Sequence, residues 1–236
     1  MARISIGGQP ADWNQLGLPA QPFRVYIRAG MAEYRPVNIN PENRVIRARM
    51  VSLLTTSPLA GNLARLNQVT STSGRLEHAA YIAGDGSLMG VVSGSQDHAP
   101  RGPAPLGNLV GFVHTHPVPN GVMAPPSADD YDASSFQRLP IQLVAEMGGR
   151  VWGLFFSGGA GYCSLLGMLA LAGMFQPVTD ASTNLVYQTV SEDQIHMEQF
   201  QGDEDREAAA RQRQMDAMRA LADQRRREAE ARRAGH

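Results

Sequence analysis

Two histidines separated by one residue, followed by a serine and an aspartate, form the most chemically specific pattern in the sequence. His114 and His116 end the apolar run NLVGFVHTH, and Ser127 and Asp130 lie in the SADD that follows. Residues two apart on a strand point to the same face, so we expect the two imidazoles to project side by side. Two imidazoles, a carboxylate and a water form a ligand set typical of catalytic zinc. The spacing therefore predicts a zinc (Zn2+) site with His114, His116 and Asp130 as ligands.

Each part of this pattern also has an ordinary structural explanation. A histidine near a strand end is more often a hydrogen-bonded structural residue than a ligand, and Ser-x-x-Asp at a helix start is typical of a capping box. Asp129 and Asp132 flank the predicted ligand; we expect both to face solvent, and a shift of the motif onto one of them is the alternative. The combination of H-x-H-P with S-x-x-D is more specific than either part and favours the metal site.

These residues can meet only if the segments around them fold as neighbouring elements. NLVGFVHTH (108–116) is largely apolar on both faces, which predicts a strand in the middle of a sheet. SADDYDASSFQRL (127–139) is a predicted helix, so Ser127 and Asp130 share the face at its start. Hairpins are predicted at 75–94 and at 141–156, with a loop rich in proline and glycine at 95–108.

The segments further from the motif are predicted from composition and periodicity. We expect short strands at 2–8, 23–30 and 184–190, and a helix over 43–66 that is divided near Pro58.

The apolar run GYCSLLGMLALAGMF (161–175) is shorter than the ~20 residues that span a bilayer. We predict a buried helix there, with Cys163 as a core residue rather than a nucleophile, because no base lies beside it. From Asp203 onward the chain is rich in Ala, Arg and Glu, with acids first and arginines last, as a helix dipole favours. We predict an exposed helical tail; the alternative is a helix that binds a partner or self-associates.

The overall composition excludes several classes of partner. The net charge of -1 offers no general attraction to nucleic acid or to anionic membrane, so we expect neither as a partner. The N-terminus lacks the apolar core of a signal peptide, and one cysteine fits a reducing compartment, which predicts a cytoplasmic protein. All 21 basic residues are arginine. A GC-rich genome explains this absence of lysine, and avoidance of an acceptor amine is the alternative.

HTHP (114–117), a short spacer and SADD (127–130) closely resemble the JAMM signature H-x-H-P…S-x-x-D of the MPN-plus zinc metalloproteases. That family carries a glutamate upstream of the H-x-H strand, and Glu77 in GRLEHAAYIAGDG fits. The resemblance covers about residues 45–160. It implies an α/β fold, with a mixed, curved β-sheet flanked by helices in cytidine-deaminase-like layers. To this the chain adds an N-terminal β segment and a C-terminal charged helix.

The resemblance also implies an activity. It is hydrolysis of peptide or isopeptide bonds after the C-terminal tail of a ubiquitin-like modifier, in a bacterial ubiquitin-like conjugation or antiphage pathway. The partner would be a ubiquitin-like protein or its conjugate. Glu77 would act as general base and then general acid. Ser127 would donate a hydrogen bond to the oxyanion.

Neighbouring histidines have no place in this scheme. On a strand, His78 is expected to point away from Glu77, and His98, in the loop, has no assigned role. The predicted regions are an N-terminal extension (1–44), a catalytic domain (45–200) and a charged helical tail (201–236). The alternatives are a non-catalytic MPN scaffold and a toxin- or phage-associated JAMM peptidase.

Overall fold

A computed structural model describes the chain in twelve stretches. They are residues 4–6, 9–10, 21–27, 30–96, 98–100, 102–118, 123–127, 130–131, 139–157, 160–170, 173–178 and 186–234. Contacts divide the chain into two compact units, Met1–Glu192 and Asp193–His236.

One sheet organises the first unit. Its strands are β1 (Ile4–Ile6), β2 (Gln9–Pro10), β3 (Phe23–Ile27), β4 (Gly30–Val37), β5 (His78–Ala83), β6 (Leu88–Ser93), β7 (Leu109–His116), β8 (Ile141–Glu146), β9 (Arg150–Ser157), β10 (Ala160–Leu169), β11 (Phe175–Pro177) and β12 (Val186–Ser191). The strand order is β2-β1-β3-β4-β12-β10-β9-β8-β7-β5-β6, with β11 paired to β10. The described pairs are antiparallel except β7 with β8, which is parallel. The predicted mixed α/β class is confirmed at this level, as are the strand at 108–116 and both central hairpins.

Two helices, α1 (Pro41–Thr56) and α2 (Leu59–Thr72), follow the N-terminal strands. Asn40 caps α1, because its Oδ1 accepts from the backbone N–H of Asn43 at 2.7 Å. α1 ends at Thr56 and is followed by Ser57, whose hydroxyl donates to the carbonyl of Leu53 at 2.6 Å. Pro58 then precedes the start of α2. The predicted division of the helix near Pro58 is therefore confirmed.

The helices pack on one face of the sheet, so the two faces of β7 have different surroundings. Val113 belongs to a core cluster shared with α1 and α2, and Thr115 bonds to Thr70 of α2 through their hydroxyls at 2.9 Å. Because side chains alternate along a strand, His114 and His116 point to the opposite face. That face is shared with a second core cluster, which contains Met123, Val144 and Trp152.

The buried helix predicted at 161–175 is wrong, because this segment forms β10 and β11. β10 lies between β9 and β12, and residues 163–167 are buried. A strand covered on both faces is apolar at every position and lacks the alternation that identifies exposed strands. Gly167 marks a register shift in the pairing with β9, and a Cβ at this position would clash with the carbonyl oxygen of Gln176. Such a contact favours glycine at this position of the strand.

The N-terminal strands continue the same sheet. β1 and β3 lie within the predicted segments 2–8 and 23–30, whereas β4 was not predicted and pairs with β12 over six residue positions. Phe23 and Tyr34 are buried in the second core cluster and stack on each other, with ring centroids 5.0 Å apart. The division at residue 44 remains a prediction, and residues on either side of it share one core.

The described residues of the second unit belong to one long helix of 43 residues, α3 (Glu192–Ala234), whose first residue is the last of the first unit. It begins before Asp203, where the charged composition starts, and would extend about 65 Å at 1.5 Å per residue. Among the described residues, no helix is long and apolar enough to cross a membrane.

Candidate metal centre

The structure brings the three predicted ligands together on one face of β7. His114 Nε2 lies 2.9 Å from Asp130 Oδ1 and 3.2 Å from His116 Nε2. His116 Nε2 lies 3.6 Å from Asp130 Oδ2. One nitrogen from each histidine and one carboxylate oxygen all lie within 4.8 Å of one another. The side chains are only 11–15% exposed, so these atoms converge in a mostly buried site.

The other ring nitrogen of His116 is fixed by the backbone. His116 Nδ1 lies 2.7 Å from the carbonyl oxygen of Ala124. Because a carbonyl oxygen only accepts, Nδ1 must carry the hydrogen, and in the neutral ring the lone pair is then on Nε2. A backbone carbonyl holding the outer nitrogen is the usual support for a metal-binding histidine. The donor set and its support therefore fit a divalent cation such as zinc.

A buried glutamate, which was not predicted, holds the same backbone segment. Glu146 Oε1 accepts from the N–H of Ala124 at 3.0 Å and from Trp152 Nε1 at 2.7 Å. Its Oε2 accepts from Arg150 Nη1 at 3.2 Å. Burial raises the pKa of Glu146, and the charge of Arg150 and the hydrogen bond from Trp152 partly oppose that rise. Glu146 and His116 are paired across β8 and β7. Their side chains bond the same residue, because Glu146 accepts from the N–H of Ala124 and His116 donates to its carbonyl.

Ser127 contacts Asp130, which in turn contacts both histidines. The hydroxyl of Ser127 donates to Asp130 Oδ2 at 3.0 Å, and its backbone N–H donates to the same oxygen at 2.5 Å. The backbone contact is one half of a capping box, so the capping and metal explanations are compatible. Most of the predicted helix 127–139, with Asp129 and Asp132, lies outside the described residues.

Neighbouring charges shift the pKa values of two of the predicted ligands, Asp130 and His116. Burial works to raise the pKa of Asp130, but the charge of His114 and hydrogen bonds from both histidines hold it well below its usual value. Burial works to lower the pKa of His116, yet Asp130 and Glu77 raise it to about 9. A site that holds a proton so firmly favours positive charge, which is a further reason why it fits a cation.

Glu77 lies just before β5, beside the predicted ligands. Its backbone N–H donates to the carbonyl of Ser95 at 2.7 Å, and its own carbonyl accepts from Gly94 at 2.8 Å. Ala79 pairs with His114, and continuing that register places Glu77 across from His116 on the same face. Glu77 is 8% exposed. Burial raises its pKa, and the charges of His116 and His114 oppose that rise.

The two neighbouring histidines fall in different places. His78 is buried on the α2 side of the sheet, where its Nδ1 lies 3.0 Å from Thr70 Oγ1, as expected from strand alternation. His98 is exposed in the loop after β6, and its charge contributes to lowering the pKa of Glu77. It therefore lies near the candidate site, although no role was assigned to it.

Tyr131 anchors its neighbour Asp130, a predicted ligand, to the sheet. Its hydroxyl bonds to Thr189 Oγ1 of β12 at 2.9 Å. Its ring lies on Gly161 of β10, where a Cβ would come within 2.5 Å of the ring carbons. The absence of a side chain at residue 161 therefore makes room for Tyr131. Cys163, two residues further along β10, is a core residue as predicted, and burial raises the pKa of its thiol to about 12.

The cluster thus offers two imidazole nitrogens and one carboxylate to a cation, with a second buried carboxylate alongside. Such an arrangement can bind a divalent metal and move a proton next to it. The ligand and catalytic assignments themselves stay predictions. Comparison of the chain with family models, with curated proteins and with solved structures finds no match in any of the three.

Proposed function

We propose that this protein is a JAMM-type zinc hydrolase that cleaves peptide or isopeptide bonds. The observation that carries the proposal is the convergence of His114, His116 and Asp130 beside the buried carboxyl of Glu77. Two imidazoles with one carboxylate suit zinc among the divalent metals. When bound, zinc acts as a Lewis acid that polarises a carbonyl and lowers the pKa of water towards neutrality.

The protein's own groups supply the remaining functions. Glu77, whose pKa is raised by burial, is suited to accept the proton of the attacking water and to deliver it to the leaving amine. Ser127 has a hydroxyl within hydrogen-bond reach of a ligand, and rotation of that hydroxyl would let it donate to an oxyanion instead. His116 is kept in one tautomer by Ala124, so Nε2 remains the ligand atom.

The substrate class rests on the resemblance of the motif. We propose the C-terminal tail of a ubiquitin-like modifier, or its conjugate, in the cytoplasm of a bacterium with a conjugation or antiphage pathway. The absence of lysine supports this assignment, because an enzyme that works beside amine-acceptor chemistry benefits from having no ε-amino group. Incubation with linear and isopeptide-linked ubiquitin-like fusions tests it directly. Zinc-loaded protein that leaves both kinds of fusion intact would contradict this substrate.

Metal content and turnover together test the activity. We expect wild-type protein to retain zinc stoichiometrically, Glu77→Gln to retain zinc but lose cleavage, and His116→Ala to lose both. His98→Ala is the matched histidine control and should retain zinc, because His98 is not a ligand. Elemental analysis of dialysed protein and a cleavage assay provide the readouts. Turnover by Glu77→Gln would place the general base elsewhere, and purified protein without zinc would exclude the enzyme.

The second candidate is a non-catalytic MPN scaffold, which the 43-residue helix α3 favours because its surface suits contact with another protein. Zinc analysis separates the two candidates. A scaffold does not need a metal bound next to a carboxyl of raised pKa, whereas the hydrolase requires one.

A further inference from the structure

Among the α3 side chains that the structure describes, which end at residue 220, four large apolar ones lie exposed along one stripe. Met197, Phe200, Met215 and Met218 are 71%, 66%, 48% and 63% exposed. Eighteen residues make five turns of an α-helix, so Met215 lies in line with Met197, and Met218 lies in line with Phe200. A narrow apolar stripe on an otherwise charged helix is typical of a helix that packs against another helix.

This stripe reads almost the same in both directions. Glu204 and Arg211 lie on it between the two apolar pairs, and its midpoint falls between Glu207 and Ala208. Reversal about that midpoint exchanges three pairs of positions: Met197 with Met218, Phe200 with Met215, and Glu204 with Arg211. Apolar groups then oppose apolar groups, and an acid opposes a base. A stripe with this property is complementary to itself about a two-fold axis.

We propose that α3 pairs with α3 of a second copy of this chain, in antiparallel orientation, about a two-fold axis between Glu207 and Ala208. The antiparallel direction follows from charge, because a parallel pair would set Glu204 against Glu204 and Arg211 against Arg211. Antiparallel neighbours also place opposite ends of the two helix dipoles together. A stripe built for an unrelated partner would have no need to be symmetric. The proposal does not depend on the proposed hydrolase activity.

Charge exchange in the full-length chain tests the pairing. We expect the wild type to form a dimer whose fraction rises with concentration in sedimentation velocity. Glu204→Arg converts two attractive contacts across the axis into repulsive ones, so dimer affinity should fall about tenfold. Adding Arg211→Glu to that variant restores both contacts with exchanged signs, and affinity should return close to wild type.

The matched control makes the same two charge changes away from the stripe. Asp205→Arg with Arg213→Glu, and each of those changes alone, should leave dimer affinity unchanged, because both residues point to other faces of α3. In a parallel pair the exchanged residues would face their own copies, and neither Glu204→Arg nor its double variant would change affinity. Circular dichroism of each variant verifies that α3 remains helical.

A distance measurement determines the orientation independently. Ala220 is exposed, and the one native cysteine, Cys163, is buried, so Ala220→Cys can carry the single nitroxide label. In the antiparallel pair residue 220 lies opposite residue 195, which separates the two labels by about 37 Å along the helices. A parallel pair would set the labels side by side. Protein that stays monomeric at all concentrations, charge variants that match the wild type, or labels at short distance would each overturn the proposal.

Discussion

Replacing Glu146 with glutamine separates its effect on the metal centre from its effect on stability. Glutamine keeps an acceptor oxygen for Ala124 and Trp152 but removes the negative charge that faces Arg150. Removing one partner of a buried ion pair costs about 3 kcal/mol. For a domain of this size, that loss lowers the melting temperature by roughly 6–12 °C.

The effect on metal binding passes through one peptide segment. Glu146 accepts a hydrogen bond from the backbone N–H of Ala124 and polarises it. The backbone carbonyl of the same residue accepts a hydrogen bond from His116 Nδ1. Weakening that support makes the ring less basic and less firmly oriented, so zinc affinity should fall about tenfold, the lower end of the effects seen for such supporting groups. Competition with a chromophoric chelator measures the affinity, at a temperature where circular dichroism shows that the variant is folded.

Trp152→Phe is the matched control for this prediction. It removes a hydrogen bond to the same carboxylate and leaves a small cavity at a fully buried core position, so it should cost about 2–3 kcal/mol of stability. Because the contact between Glu146 and Ala124 remains, its zinc affinity should stay within about twofold of wild type. If Glu146→Gln lowers the melting temperature but binds zinc as tightly as Trp152→Phe, the carboxylate has only a structural role and the reasoning is refuted.

Three further predictions follow from the site. Gly161→Ala would push a Cβ into the ring of Tyr131 and displace the neighbouring Asp130, so zinc binding should weaken about tenfold. Gly173→Ala, at a glycine away from the site, is the control. Equal zinc affinities of the two variants would contradict the anchoring role of Tyr131. With chelator present, the folded-state pKa of His116, about 9 against an ordinary 6.5, adds stability that is complete below pH 6.5 and is lost as pH rises through 9. Urea unfolding should show a fall of about 2–3 kcal/mol over that range, and His116→Asn should flatten it; the same slope in both proteins would disprove the assignment. The lowered pKa of Asp130 has the opposite effect on stability. Its contribution is present above pH 3.8, the ordinary pKa of an aspartate, and is lost as pH falls through the lower folded-state pKa. Asp130→Asn should therefore lose less stability on acidification than the wild type.

The strands around the motif were predictable because their signals are local. The run before His114 is apolar on both faces, and GDG identifies a hairpin turn, so β5, β6 and β7 follow from short stretches of sequence. The strand β10 could not be found in this way, because burial on both faces removes the alternation that distinguishes a strand from a buried helix. β4 contains Pro36 and charged residues, and its strand character comes from pairing with β12, distant in sequence.

The candidate site divides in a similar manner. His114, His116 and Asp130 lie within one short segment, and their spacing alone predicts that they meet. The part played by Glu146 depends on the register of β7 with β8, which no local pattern reveals. Its only signal is an acid at the end of the apolar run IQLVAE, where a charge is unexpected unless it is paired.

The hydroxyl of Tyr34 donates to the carbonyl of Pro126 at 2.8 Å, one residue before Ser127. A strand from the first forty residues therefore holds the loop that leads to Ser127, the proposed oxyanion donor, and Asp130, the proposed metal ligand. A shortened protein that begins at residue 45 would lose that contact, together with the aromatic pair of Phe23 and Tyr34. It would also leave β12 as an open edge, a template on which other chains add strands and aggregate. Attempts to isolate a minimal version of the proposed hydrolase should therefore retain the N-terminal strands.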